Sequence, residues 1–141
     1  MRWDGPDGYF VSDDRTLVDV ARVHAWLSEQ AYWALGRSLE TVGRSIEESL
    51  TLGLYGADGS QLGLCRWVTD YSTFAWLADV FVEPAHRGSG LGGWLIQIAT
   101  DHPAISDLHL QLLATRDAHG LYSRFGFVPV TTPERWMERR R

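Results

Sequence analysis

The sequence contains a single cysteine, Cys65, so no disulfide can form within the chain. Because Cys65 ends the apolar run Leu62–Cys65, a buried thiol is favoured over a nucleophile. No apolar run approaches the roughly 20 residues that a membrane-spanning helix needs, and Met1–Pro6 lacks the apolar core of a signal peptide. These absences predict a cytoplasmic protein with no membrane partner.

The sequence also has no excess of positive charge. Its formal net charge is −5, and the phosphates of a nucleic acid require a basic surface, so we expect no nucleic-acid partner. The basic end Arg139–Arg141 is short, and we expect it to be solvated. A content of 45% hydrophobic and 22% charged residues is typical of a globular domain. At 141 residues we expect a single domain over residues 1–141.

Hydrophobic periodicity predicts an α/β domain in which strands and helices alternate. The link Gly56–Ser60 contains Asp-Gly, a hairpin signal, and three consecutive strands around it should form an antiparallel meander. The predicted elements are a strand over Gly8–Val11, a helix capped by Ser12–Asp14 that runs to about Ser28, a helix from Ser38, strands over Leu50–Tyr55, Gln61–Thr69 and Phe74–Val82, a helix from Leu91 that stops before Pro103, a strand over Leu108–Ala114 expected to be central, a short helix carrying Tyr122, and a last strand over Phe127–Val130.

A glycine-rich segment, Arg87–Gly92, lies between the apolar run Val80–Val82 and the start of a helix at Trp94. Glycines let the backbone approach a ligand closely, and the N–H groups of the first helical turn have no internal partners. The helix dipole favours an anion there, and Arg87 adds a cationic fork suited to phosphate. The segment therefore predicts a binding site for a cofactor that carries a pyrophosphate.

Two other nucleotide sites can be weighed against this prediction. Gly88, Gly90 and Gly93 also match the dinucleotide-binding fingerprint. That fold opens with its motif and needs several further strand–helix units, whereas only residues 93–141 remain here. A phosphate-loop NTPase is excluded because no Gly-Lys-Ser/Thr follows. A glycine-rich connection that binds no ligand is the remaining alternative.

The surroundings of the glycines carry a resemblance to a known family. Val82–Gly92 resembles the acetyl-CoA loop of the GNAT N-acetyltransferase superfamily, in which Arg/Gln-x-x-Gly-x-Gly/Ala follows a strand ending in Val-x-Pro. Ala118–Phe127 resembles the family's Ala-x-x-Leu-Tyr-x-x-x-Gly-Phe block. The resemblance implies the GNAT fold, a mixed and mostly antiparallel central sheet of about six to seven strands flanked by about four helices. It also implies acetyl-CoA as the cofactor.

The resemblance further implies where the cofactor lies. The strand ending at Val82 and the strand ending near Ala114 would splay apart and admit the pantetheine arm, whose amides pair with strand backbone. Thr115 stands where the family often has Asn, and a threonine still donates and accepts hydrogen bonds. The residues expected to bind the cofactor are Val80, Phe81, Val82, Arg87, Gly88, Ser89, Gly90, Leu91, Gly92, Thr115 and Tyr122.

Two residues are candidates for catalysis. Tyr122 matches the family's usual general-acid position, where a phenol can donate its proton to the departing thiolate, and the alternative is a core tyrosine. Asp79 is the only charged residue of its strand, and strand alternation places it on the face of Leu77 and Phe81. There it is either paired or has a pKa raised by desolvation, which would suit a base. Asp70, Glu83 and a water chain are alternative bases.

The acceptor side is inferred from the resemblance, which places the first helix, the segment after it and the meander loops around the acceptor. The expected substrate residues are Tyr32, Trp33, Asp70 and Tyr71. Aromatic rings with carboxylates suit a cationic amine, so we expect a small-molecule primary amine.

The predicted function is direct acetyl transfer from acetyl-CoA to that amine in a ternary complex. A non-catalytic acyl-CoA-binding or sensing module and a protein-binding module without cofactor are the alternatives. No metal site is predicted, and a homodimer is an open option for the assembly.

Overall fold

A computed structural model describes all residues, 1–141, and places a six-stranded sheet at the centre of the chain. The strands follow one another across the sheet in chain order. The first five pair antiparallel and the sixth pairs parallel to the fifth, so the predicted mixed, mostly antiparallel sheet is confirmed. The strands are β1 (Arg2–Asp4), β2 (Phe10–Ser12), β3 (Leu50–Tyr55), β4 (Gln61–Thr69), β5 (Ala75–Val82) and β6 (Gln111–Leu112).

Four α-helices flank the sheet: α1 (Val20–Gln30), α2 (Leu39–Glu47), α3 (Leu91–Asp101) and α4 (His119–Ser123). Ser38 caps α2 by accepting a hydrogen bond from the Thr41 N–H, so this helix begins where the sequence predicts. The predicted cap of α1 is wrong. Asp14 caps only a single 3-10 turn, and Asp19 caps α1 by accepting from the Arg22 N–H. No helix is both long enough and apolar enough to cross a bilayer.

Each face of the sheet carries its own hydrophobic cluster. On one face the residues of α3, such as Leu95, pack against Leu52, Cys65 and Trp67 of β3 and β4. On the other face α1 and α2 pack against Leu64 and Phe81. Cys65 has no exposed surface, and burial raises the pKa of its thiol to about 12, so the predicted buried thiol is confirmed.

A β-bulge in β5 changes which side chains share a face. Ala78 lies opposite Arg66 and Phe81 lies opposite Leu64, so Asp79 and the residue after it both stand against one residue of β4. Asp79 has a φ of +53°, in the left-handed region. The bulge puts Leu77 and Phe81 in different hydrophobic clusters. The face that simple alternation predicts for Asp79, shared with both of them, is therefore wrong.

The ends of the chain also differ from the prediction. β1 has no counterpart among the predicted strands. Residues of Leu108–Ala114 form a two-residue outer strand rather than a central one, because β6 pairs with β5 alone. The predicted last strand, Phe127–Val130, makes no ladder hydrogen bonds, and its Pro129 has no N–H to donate. The sheet therefore ends at β6, on the side where the functional cleft opens.

Candidate active site

A cavity lies where β5 and β6 separate. The two strands pair only through Ala75 with Gln111 and Trp76 with Leu112. Beyond this point a cavity of about 790 Å³ opens between residues 77–82 on one side and 113–115 on the other. This is the splay that the family resemblance implies, and it leaves one edge of β5 without a strand partner.

One end of the cavity is formed by the glycine-rich segment. Gly88 and Gly90 have φ of +87° and +86°, and a Cβ built at either would have no atom within 4 Å. Because α3 begins at Leu91, the N–H groups of its first turn have no carbonyl earlier in the helix to bond. The segment is thus an open cradle at a helix N-terminus, as an anion site requires.

Two arginines stand beside this cradle. Arg87 donates from Nε to the Val82 carbonyl at 2.7 Å, and its guanidinium carbon lies 5.0 Å from the centre of the Phe81 ring. These contacts fix the side chain and leave its Nη groups without a protein acceptor. Arg124, not predicted from the sequence, also lines the cavity, and its Nη2 would lie 3.8 Å from a Cβ built at Gly93. Its position two residues after Tyr122 in the second motif was the available signal.

Two predicted cofactor residues, Ser89 and Leu91, are absent from the cavity lining. The Ser89 hydroxyl donates to the His86 carbonyl at 3.2 Å, and the Leu91 side chain is buried in the core. Neither side chain lines the cavity. Thr115 does line it, but its hydroxyl accepts a hydrogen bond from the Ala118 N–H at 3.1 Å and so fixes the start of α4.

Of the two predicted catalytic residues, only Tyr122 has a polar side-chain atom that makes no hydrogen bond within the protein. α4 places it in the cavity wall, with its ring against that of Phe127 at 6.1 Å between centres and 76° between planes. Its hydroxyl makes no hydrogen bond within the protein. Burial raises the pKa of Tyr122 to about 12, so the phenol keeps its proton at neutral pH.

Asp79 also lines the cavity, but both oxygens of its carboxylate already accept hydrogen bonds within the protein. Oδ2 accepts from Arg66 Nε at 2.7 Å and from Arg37 Nη1 at 2.9 Å, and Oδ1 accepts from Trp33 Nε1 at 2.7 Å. Burial alone would raise the pKa of Asp79, but the two guanidinium groups and the indole N–H hold it below its usual value. Of the two outcomes predicted for this residue, the structure shows pairing. The raised pKa that would suit a base is contradicted.

The four predicted substrate residues divide into two pairs. Tyr32 and Trp33 line the cavity, with their rings edge to face at 5.0 Å. The Tyr32 hydroxyl accepts from the Arg116 N–H at 2.9 Å, and the Arg116 guanidinium lies 3.9 Å from the centre of the Tyr32 ring. The chain segment between α1 and α2 is thereby joined to the segment after β6, and together they close the end of the cavity opposite the glycines.

Asp70 and Tyr71 do not belong to this site. They lie in the β4–β5 turn, at the end of β5 where it pairs with β6, and the Tyr71 side chain points to solvent with 55% of its surface exposed. Hydrogen bonds from the Thr73 hydroxyl and from the turn backbone lower the pKa of Asp70 well below its usual value. Glu83 lies beside His86 and does not border the cavity. Asp70, an expected substrate residue and alternative base, and Glu83, a second alternative base, therefore do not line this cavity.

The structure instead brings two arginines, Arg37 and Arg66, to the end of the cavity opposite the glycines. Arg66 is the only charged residue of β4, and Asp79 is the only charged residue of β5. Two single opposite charges on neighbouring strands could have predicted this ion pair from the sequence. Arg37 gave no such signal, because it lies in the irregular segment before α2, 42 residues from its partner Asp79.

With this geometry in place, comparison with known proteins identifies the family. The family model described as "Acetyltransferase (GNAT) domain" matches residues 51–129, more than half of the chain. The chain belongs to the GNAT family of acetyltransferases. It is 43% identical to a solved structure from Xanthomonas campestris pv. campestris that is described as belonging to the GNAT family. That match has a TM-score of 0.92 and covers 96% of this chain and 95% of the other.

Two further relatives extend the comparison. FG08082 of Gibberella zeae, assigned as an acetyltransferase, is 32% identical over 111 residues. The match covers 66% of this chain and 63% of that protein, so the chain spans less than two thirds of the length of this relative. The structure of Rv2747 from Mycobacterium tuberculosis in complex with CoA is similar in fold, at 21% identity and a TM-score of 0.63. It covers 85% of this chain and 72% of the other.

The acetyl donor of GNAT acetyltransferases is acetyl-CoA. The residues of this cavity fit such a molecule. The open glycine cradle and two guanidinium groups suit its phosphates, and the unpaired edge of β5 suits the amides of its pantetheine arm.

Proposed function

We propose that this chain is an N-acetyltransferase that moves the acetyl group of acetyl-CoA directly to a primary amine in a ternary complex. The observation that carries this proposal is the placement of Tyr122. Its protonated, unengaged hydroxyl borders one cavity that has an anion cradle at one end and an aromatic wall at the other. Such a cavity can accommodate a donor and an acceptor at the same time.

On this proposal the glycine cradle, Arg87 and Arg124 hold the phosphates, and residues Val80–Val82 align the pantetheine arm. The Val82 carbonyl is already bonded to Arg87. Backbone pairing of the arm therefore depends on the other free groups along the edge of β5. When bound, acetyl-CoA supplies an activated thioester carbonyl, and the protein has to orient it and manage the protons.

Direct transfer agrees with the position of the only thiol. Cys65 is fully buried in the core, and its raised pKa keeps it protonated, so it cannot carry the acetyl group as a covalent intermediate. Tyr122 would donate a proton to the departing thiolate. The amine proton would leave through water, since the Asp79 oxygens are occupied by Arg37, Arg66 and Trp33.

The proposal is tested by two measurements on the same preparation. Calorimetric titration should show that acetyl-CoA binds, and a thiol-release assay across a panel of primary amines should show acetyl-dependent turnover. Binding without turnover on any amine would instead support the acyl-CoA-sensing alternative. Absence of binding to acetyl-CoA or CoA would contradict both and leave a module without a cofactor.

A further inference from the structure

On the proposed function, the acceptor occupies the end of the cavity opposite the glycines, called here the acceptor end. The charges of this end do not balance. The glycine end of the cavity has its own arginines, Arg87 and Arg124, which the proposed function assigns to the cofactor phosphates. At the opposite end two guanidinium groups, Arg37 and Arg66, share one carboxylate, Asp79. The only other acidic residue that lines the cavity is Asp117, which is next to Arg116, with 3.5 Å between the charged atoms. The acceptor end therefore carries one positive charge in excess.

The two arginines differ in how many of their donors are already used. Arg66 spends Nε on Asp79 and Nη1 on the Ser49 hydroxyl at 3.0 Å, and only 13% of its side chain is exposed. Arg37 spends only Nη1, on Asp79, and 22% of its side chain is exposed. The Nε and Nη2 groups of Arg37 have no acceptor in the protein. A guanidinium with free N–H groups that is held in place by a buried carboxylate is prepared to bind a planar anion.

Stability alone does not require this arrangement. One arginine would neutralise Asp79, and a second, uncompensated guanidinium in a half-buried position adds a desolvation cost. The excess charge also opposes a purely cationic acceptor, because the one carboxylate there, Asp79, is only 2% exposed and is already paired with two guanidinium groups. An anionic group on the acceptor would neutralise the excess charge and offset the desolvation cost of the second guanidinium. A single excess charge matches a carboxylate better than a doubly charged phosphate monoester.

We propose that the acceptor is a small primary amine that also carries a carboxylate, and that Arg37 binds this carboxylate. Arg66 contributes charge, Asp79 positions the Arg37 guanidinium, and Trp33 and Tyr32 flank the carbon skeleton of the acceptor. This inference rests on the proposed acetyltransferase function and assigns its substrate class. Arg37 is then the residue that determines specificity for the acceptor.

The test uses pairs of acceptors that differ only in the anion, namely amino acids and their amides. A third arm contains an aminoalkyl phosphate. We expect kcat/KM for the amino acids to exceed that for their amides, although the amides have the more readily deprotonated amine. In Arg37→Gln we expect KM for the amino acids to rise about tenfold to a hundredfold, with KM for the amides and the affinity for acetyl-CoA unchanged.

Two further variants separate recognition from folding. Arg37→Lys keeps the charge without the planar fork and should give an intermediate KM for the amino acids. Arg44→Gln removes the same charge from the exposed surface of α2, and it should change neither the KM for the amino acids nor the KM for their amides. A rise in KM for acids and amides alike in Arg37→Gln would overturn the inference.

The panel itself distinguishes two kinds of failure. If amides or polyamines are acetylated more efficiently than amino acids, the carboxylate assignment is wrong while the acetyltransferase function stands. If the aminoalkyl phosphate is preferred, the anion is a phosphate and the inference is overturned in that form. If no amine is acetylated, the proposed function fails and this inference fails with it.

Discussion

Replacing Tyr122 by phenylalanine removes one hydroxyl and leaves the ring in place. The ring contact with Phe127 is retained, and the hydroxyl has no hydrogen bond within the protein to lose. We therefore expect the free energy of unfolding to change by less than about 0.5 kcal/mol. If the hydroxyl donates the proton to the thiolate, kcat should fall by about 10²–10⁴, or about 3–5 kcal/mol of transition-state stabilisation.

The assay is thiol release at saturating acetyl-CoA, with affinity for acetyl-CoA measured separately by titration. We expect the loss in kcat with little change in that affinity. The matched control is Tyr55→Phe, since the Tyr55 hydroxyl also has no hydrogen-bond partner but is buried in β3, outside the cavity. Tyr55→Phe should retain full turnover. Turnover of Tyr122→Phe within about threefold of the unmodified protein would refute the role of Tyr122 as general acid.

Three further predictions follow from the same contacts. Arg87→Ala should weaken acetyl-CoA binding about tenfold to a hundredfold by titration, and unchanged affinity would remove Arg87 from the phosphate site. Gly90→Val should lower the free energy of unfolding in urea by about 1–2 kcal/mol, because φ is +86° there, and an unchanged midpoint would contradict that strain. Asp79→Asn should leave the pH profile of kcat/KM in place, whereas a shift of its acidic limb would restore Asp79 as the base.

A separate prediction for Asp79→Asn concerns the stability of the fold. Because the folded-state pKa of Asp79 lies below its unfolded value of 3.8, the carboxylate stabilises the fold above that pH. The contribution is lost as the pH falls through the folded-state pKa. The difference in unfolding free energy between the two proteins should thus be largest near neutrality, at about 3 kcal/mol, and shrink in acid. A difference that is independent of pH would contradict the pairing.

The local elements of this protein could be predicted from the sequence because their causes are local. β3 and β4 have the bounds that alternation and the Asp-Gly hairpin signal predict, and α2 begins at the Ser38 cap. The glycine cradle, the start of α3 and the placement of Tyr122 in a short helix depend on backbone freedom and spacing within a few residues. These features, together with two motifs in the right order, were sufficient to predict the fold and the cofactor from the sequence.

The arrangement at the end of the cavity opposite the glycines was decided only by tertiary structure. The bulge in β5 redirects Asp79 and cannot be detected from alternation, because one extra residue reverses the faces on either side of it. Arg37 reaches that carboxylate from 42 residues away, so its role depends on how α1 and α2 pack on the sheet. Asp70 was an alternative base to Asp79 from the sequence, yet its carboxylate accepts hydrogen bonds from its own turn, at the end of β5 that pairs with β6. The charge of a site depends on which side chains the fold brings together. That depends on how distant segments pack, so it cannot be predicted from any one segment alone.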